Sequence, residues 1–196
     1  ALGYHTLYAV TTGLNNTAVG SYALFCNTKD NNTAVGFCAL RSNIASNNTA
    51  IGFASLRNNT TGTANVAVGL YSLRDNTIGI NNTAVGRSAL NVNTLGCYNT
   101  AMGYHAMVGN TTGNNNTAIG IGTALTNKAN TGIVAVGFNA LSNADDRTTG
   151  RTTGNTAVGF ESLRGSTTPA NNTGINNSVL GYQALNFNST GNNNTA

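Results

Sequence analysis

The residues that could carry out acid–base, nucleophilic or metal chemistry are few and widely separated. The two histidines, His5 and His105, stand six repeats apart and cannot share a metal ion. Among five carboxylates, Asp145 and Asp146 form one adjacent pair beside Arg147, which is typical of a solvated turn. The sequence has no glycine-rich phosphate loop, Cys/His cluster or nucleophile–base arrangement. We therefore predict that the chain is not an enzyme and binds no cofactor or metal.

Arginines form the one regular pattern of charge. Arg41, Arg57 and Arg74 each stand five residues after a glycine in three successive repeats, so stacking would bring like charges close together. One interpretation is a solvated edge that keeps the protein soluble. The other is a contact with an anionic cell-surface glycan or lipid headgroup, to which Arg147 and Arg151 in a Thr/Gly-rich insertion are added as candidates.

Composition excludes several classes of protein. Charged residues make up 7% of the 196 residues, there is no tryptophan, and Pro169 is the single proline. The net charge of +4 is too small and too scattered for a nucleic-acid-binding surface. No apolar run approaches the length of a membrane-spanning helix. The three cysteines occupy different repeat positions and predict no disulfide framework. Abundant small apolar residues favour stacked coils over a globular core.

The pattern Asn-Thr-Ala-Val-Gly-x-x-Ala-Leu recurs along the whole chain. Its glycines recur at a nearly constant interval that lengthens only at the last two, so we predict a single array over residues 1–196 with eleven coils of about 16–22 residues. The two longer coils span 138–181, and their extra residues fall in 144–154 and 165–175, where a solenoid often places its binding loops. The repeat glycines, called first glycines below, are Gly3, Gly20, Gly36, Gly52, Gly69, Gly86, Gly103, Gly120, Gly137, Gly159 and Gly181.

Short apolar segments between Asn/Gly/Thr turns predict strands and not helices. Two strands of four to six residues and two turns fill one coil, which predicts an all-β, parallel β-solenoid about 50 Å long. We expect the residue before each first glycine (the Val column) and the residue four after it (the Leu column, with Leu125 one residue late) to form the core. The residue two before each first glycine (the Ala column), which is alanine in every repeat except at Val179, would then face the other way.

Asparagine four residues before the first glycine predicts a turn in every coil but one, where Ile133 replaces it. Asparagine tolerates left-handed backbone angles, and identical side chains stacked one strand apart can form a hydrogen-bonded ladder. This Asn column comprises Asn16, Asn32, Asn48, Asn65, Asn82, Asn99, Asn116, Asn155 and Asn177, and ends with Asn194.

These Asn-Thr-Ala-Val-Gly units resemble the head repeats of trimeric autotransporter adhesins. They are more similar to the repeats of phage tail-fibre proteins, whose form is seen in the segment Gly181-Tyr182-Gln183-Ala184-Leu185. The resemblance covers the whole chain and implies a β-roll, left-handed in the adhesin heads, that assembles as a homotrimer at a cell or virion surface outside the cell. The units differ in length, since the head units of those adhesins are shorter. A structural or adhesive fibre segment is the function that this resemblance implies.

Two interpretations of the repetitive surface follow. In the first, the small side chains of the Ala column pack against sister chains as a subunit interface formed by Ala18, Ala34, Ala50, Ala67, Ala84, Ala101, Ala118, Ala135 and Ala157. In the second, a single solenoid has a flat repetitive binding face, such as one for ice or a glycan. Ice binding would use the threonine three before the first glycine, and Val66 and Val134 interrupt this Thr column. Because Ala1 and Ala196 fall in mid-coil, we also expect a longer fibre, or end-to-end stacking into a filament.

Overall fold

A computed structural model describes residues 1–9 and 12–196 and confirms the parallel β-solenoid. Ten strands form one sheet in chain order, with every neighbouring pair parallel. This is one strand fewer than the eleven coils predicted, because the first repeat contributes only an isolated bridge from Leu2 to Val19. One 3-10 turn, Pro169–Asn171, is the only helix in the described residues. The strands are Thr17–Val19 (β1), Thr33–Val35 (β2), Thr49–Ile51 (β3), Val66–Val68 (β4), Thr83–Val85 (β5), Thr100–Met102 (β6), Thr117–Ile119 (β7), Val134–Val136 (β8), Thr156–Val158 (β9) and Ser178–Leu180 (β10).

Each of the ten coils that join the sheet contains one three-residue strand, and the prediction of two longer strands is wrong. The residues two and four after the first glycine have left-handed backbone angles, such as φ of 58° at Tyr71 and 47° at Leu73. Extended strands require negative φ, so this half of the coil is a chain of turns. The turns still bond to both neighbouring coils: Tyr71 N–H donates to Phe53 O, and Leu73 N–H donates to Ala89 O, each over 3.0 Å.

The first glycine is required where the strand ends. Gly86 has φ of +125°, which other residues rarely adopt. A Cβ atom added there would lie 2.6 Å from the carbonyl oxygen of Gly103 in the next coil. The repeat therefore keeps glycine here for both its backbone angle and the close stacking of coils.

The predicted assignment of the strand faces is wrong. The middle residue of each strand, which is alanine in nine strands and Val179 in β10, is almost fully buried, while the residues on either side are partly or largely exposed. Alternation along a strand indicates only that alanine and valine point to opposite sides, and the narrow interior has room for the smaller one. The alanines proposed as a subunit interface lie inside the coil: Ala18, Ala34, Ala50, Ala67, Ala84, Ala101, Ala118, Ala135 and Ala157.

The Leu column is buried along most of the rod, as predicted, but in one coil the neighbouring alanine takes the buried position instead of leucine. Leu73, Leu90 and Met107 are each 0% exposed. In the next coil Ala124 takes this place, and not Leu125, because Ala124 N–H donates to Ala140 O in the register that leucine has elsewhere. Ala124 is fully buried, whereas Leu125 is only half-buried.

Adjacent residues of β7 provide a test of these faces. Ala118→Asp places an unpaired charge in the core, and we expect it to destabilise the fold by about 3 kcal/mol or more. Thr117→Asp changes a half-buried residue on the outward side of the same strand, and its effect on folding should stay within about 1 kcal/mol. Thermal unfolding followed by circular dichroism measures both, and similar losses in the two variants would contradict the assignment.

Candidate functional site

A continuous apolar stripe runs along the outside of the solenoid. It consists of the residues immediately before and after the first glycine, and 20 of these 22 positions are apolar, with Ser21 and Arg87 as exceptions. Exposed fractions near 40% occur in the middle of the chain, for example 43% at Phe53 and 41% at Met102. The members are Leu2, Tyr4, Val19, Val35, Phe37, Ile51, Phe53, Val68, Leu70, Val85, Met102, Tyr104, Ile119, Ile121, Val136, Phe138, Val158, Phe160, Leu180 and Tyr182.

Aromatic rings in the apolar stripe stack on one another along the rod. The ring centroids of Phe138 and Phe160 are 5.1 Å apart at 14°, and those of Phe160 and Tyr182 are 5.2 Å apart at 13°. Phe37 and Phe53 repeat this geometry at 5.2 Å and 18°. Within such a run each ring covers the face of its neighbour and presents its edge outward. The runs therefore suit packing against another apolar surface better than stacking against a sugar ring.

Inside the coil, the Asn column forms a hydrogen-bonded ladder. The Oδ1 atom of Asn82 accepts from the backbone N–H of Asn99 over 3.0 Å and from its side-chain amide over 3.1 Å. The amide of Asn82 donates to Gly96 O over 2.8 Å. Each such side chain thus links its own coil to the next, and Asn65, Asn82 and Asn99 are all 0% exposed.

A second buried asparagine column was not predicted. It stands seven residues after the first glycine, and its amides also bond from coil to coil, as Asn93 does to Asn76 Oδ1 over 2.9 Å. Asn93 and Asn82 donate to the same acceptor, Gly96 O. These asparagines recur in the sequence at the same interval as the first glycines, which was a sufficient signal for the column. Its members are Asn27, Asn43, Asn59, Asn76, Asn93, Asn110, Asn127 and Asn188.

Both asparagine columns are interrupted in the same coil. Ile133 and Ala144 occupy the two positions, and both are buried in the apolar core. The Ile133 N–H still donates to Asn116 Oδ1 over 3.1 Å, but Asn127 Oδ1 loses the amide that would have come from the Ala144 position and is buried without a partner among the described residues. In the next coil Ser166 takes the second position, and Asn172 from the insertion accepts from its backbone N–H over 2.9 Å.

The arginines proposed in the insertions are held by a buried carboxylate. Asp145 has a side chain only 1% exposed, and its Oδ2 atom lies 2.5 Å from Arg147 Nη2 and 3.1 Å from Arg151 Nη2. Arg151 also donates to Thr173 O over 2.6 Å, which ties the two insertions together. Burial would raise the pKa of Asp145, but hydrogen bonds and charge from Arg147, with charge from Arg151, lower it below its ordinary value. These two arginines are thus engaged within the protein.

The three stacked arginines differ from one another. Arg74 forms a two-pronged ion pair with Asp75, which lowers the pKa of that carboxyl chiefly through this hydrogen bond. Arg41 has its guanidinium carbon 5.7 Å from the ring centroid of Tyr22. Within the described residues, neither Arg41 nor Arg57 forms an ion pair.

Other chemical groups do not converge. His5 and His105 pack against Tyr4 and Tyr104 respectively, in different parts of the rod. The described part of the chain has no cluster of three or more His, Cys, Asp or Glu residues that could hold a metal ion. All three cysteines are free thiols. Residues 1–9 and 12–196 include no helix long and apolar enough to cross a membrane.

Comparisons with protein-family models, curated proteins and solved structures found no match to this chain.

Removing one ladder residue should expose the importance of these amides. Asn82→Ala leaves the Asn99 N–H buried without its acceptor, and we expect a loss of about 1–3 kcal/mol in unfolding free energy. Asn81→Gly is the control, because Asn81 is exposed and has a left-handed φ of 55° that glycine adopts freely. Chemical denaturation compares the two, and equal stabilities would mean that the ladder contributes nothing net.

The insertions should lose stability in acid because of Asp145. The pKa of this carboxyl is lower in the folded protein than in the unfolded chain, where it is about 3.9, so the carboxylate stabilises the fold at pH values above this. This stabilisation is lost as the pH falls through the pKa of the folded protein. Asp145→Asn should remove this contribution and cost about 2 kcal/mol at neutral pH. Asp146→Asn is the control, because its 3.8 Å ion pair with Lys128 is partly exposed and worth about 0.5 kcal/mol or less. Unfolding measured against pH would contradict this role if the two variants behaved alike.

Proposed function

We propose that this chain is a non-catalytic structural segment of an extracellular fibre, in which copies of the solenoid associate side by side through the apolar stripe. The main support for this proposal is the apolar stripe, whose positions recur in all eleven repeats of the sequence. Monomeric proteins rarely expose apolar patches larger than a few hundred Å². Extended apolar surfaces of this kind mark association sites.

The area of the stripe is sufficient for a stable interface. Its seven aromatic side chains at positions after the first glycine are 41–73% exposed. With 150–250 Å² per ring, they alone present about 700 Å². A typical stable interface buries about 800 Å² on each partner, and the Val column adds to the aromatic area. Arg87 is the one charged member, and charge depletion is also typical of interface centres.

The periodicity of the stripe favours a second copy as the partner. Parallel strands place equivalent residues about 4.8 Å apart along the rod. A partner that matches this period over ten strands needs the same axial repeat, which another copy of this chain has. The resemblance to adhesin and tail-fibre repeats favours three copies and a location on a cell or virion surface.

Charges introduced into the stripe should dissociate the assembly. The double variant Phe138→Asp/Phe160→Asp would place two carboxylates in the interface, where they would lose their water without gaining a partner. We therefore expect the assembly to dissociate into single chains. Ile78→Asp with Leu95→Asp is the control: these residues are 51% and 47% exposed but stand nine residues after their first glycines, outside the stripe. Sedimentation velocity measures the masses. A monomeric parent protein, or dissociation by the control alone, would contradict the proposal.

Ice binding is a second candidate because the Thr column also points outward. Threonine and valine stand two residues apart on the same face of the sheet, in rows with the strand spacing. Val66 and Val134 interrupt the threonine row, which weakens the fit to an ordered water lattice. Thermal hysteresis in the monomeric stripe variant would favour this function, whereas an assembled parent protein without hysteresis favours the fibre.

A further inference from the structure

Unpaired positive charge is concentrated in the first half of the chain. Lys29, Arg41, Arg57 and Arg87 form no ion pair within residues 1–9 and 12–196. All basic residues after Arg87 are paired with Asp145, Asp146 or Glu161. The excess charge is therefore local, and two of its four members are stacked together.

Arg41 and Arg57 are direct neighbours in adjacent coils. The backbone N–H of Ser42 donates to Arg57 O over 3.1 Å, which places the two arginines one strand spacing apart. Arg74 continues the row, since Asn58 N–H donates to Arg74 O over 2.9 Å. Asp75 neutralises Arg74 through two hydrogen bonds. Like charges at this spacing repel, and neither Arg41 nor Arg57 forms an ion pair within the described residues, although the charge of Asp75 also attracts Arg57 at longer range.

Aromatic rings support Arg41, the first arginine of the row. Arg41 lies 5.7 Å from the ring centroid of Tyr22 and 5.8 Å from that of Phe25. Tyr8 stacks on Phe25 at 5.3 Å and is 65% exposed, so its ring and hydroxyl extend the surface. A guanidinium placed over a ring can still bind a carboxylate or sulfate with two hydrogen bonds.

We propose that Arg41 and Arg57, flanked by Tyr8, Tyr22 and Phe25, bind an acidic polysaccharide that lies along the rod. An extended sugar chain advances per residue by about one strand spacing, so successive acidic groups can meet successive coils. Tyr8, at 65% exposed, offers the edge of its ring and its hydroxyl to the sugars. The row is too short for nucleic acid, which requires extended basic patches, and for an anionic membrane, which is bound by clusters of about four to eight basic residues. This site goes beyond the proposed side-by-side assembly, because neither arginine belongs to the apolar stripe.

Binding can be measured by affinity electrophoresis of the intact chain with polygalacturonate, dextran sulfate or neutral dextran. We expect retardation by at least one acidic polymer, none by neutral dextran, and weakening as salt rises. Arg41→Gln with Arg57→Gln should reduce affinity about tenfold or more, because charged hydrogen bonds are lost. The control, Lys29→Gln with Lys128→Gln, removes the same charge outside both the arginine row and the apolar stripe and should change affinity by less than about threefold.

Three results would overturn the proposal: no retardation by either acidic polymer, equal loss in both double variants, or binding confined to vesicles containing phosphatidylserine. Equal loss would indicate attraction by net charge alone, and vesicle binding would indicate a lipid headgroup. Sedimentation of the Arg41/Arg57 variant should match the parent protein. The oligomeric state of this variant therefore tests the proposed side-by-side assembly separately from the polysaccharide site.

Discussion

Two asparagine amides converge on one backbone carbonyl in the interior of a regular coil, and the rest of the solenoid is built around this arrangement. A coil with so few residues encloses too little space for an apolar core of ordinary size. Its buried polar groups must therefore find partners inside. The amides of Asn82 and Asn93 both donate to Gly96 O, and their Oδ1 atoms accept hydrogen bonds from asparagine amides of the next coil. The hydrogen bonds that satisfy the buried polar groups of one coil therefore also join it to its neighbour.

This narrow interior determines which apolar residues reach the surface. Alanine, leucine and the two asparagines fill the inside, which leaves valine, isoleucine, phenylalanine and tyrosine outside. A globular domain would bury such side chains first. Their exposure in straight rows is consequently a property of the coil's small cross-section, and it makes lateral association a natural use of the fold.

The coil around Ile133 shows what happens when the arrangement is changed. With both asparagines replaced by apolar residues, the chain lengthens and a charged group, Asp145, is buried instead. Arg147 and Arg151 compensate that carboxylate, and Arg151 connects the first insertion to the second. Charge at this end is paired within the structure, whereas Arg41 and Arg57 form no ion pair in the described part of the chain.

The sequence by itself determined the parallel solenoid, because so short a repeat leaves stacking as the way to bury its small apolar side chains. It also indicated the Leu column and the positions of the insertions. Which strand face is inside was decided by tertiary structure, since alternation separates Ala118 from Ile119 but assigns neither to the interior. The pairing of Arg147 and Arg151 with Asp145 likewise depended on how two insertions fold against each other, and repeat spacing carries no information about residues outside the repeat.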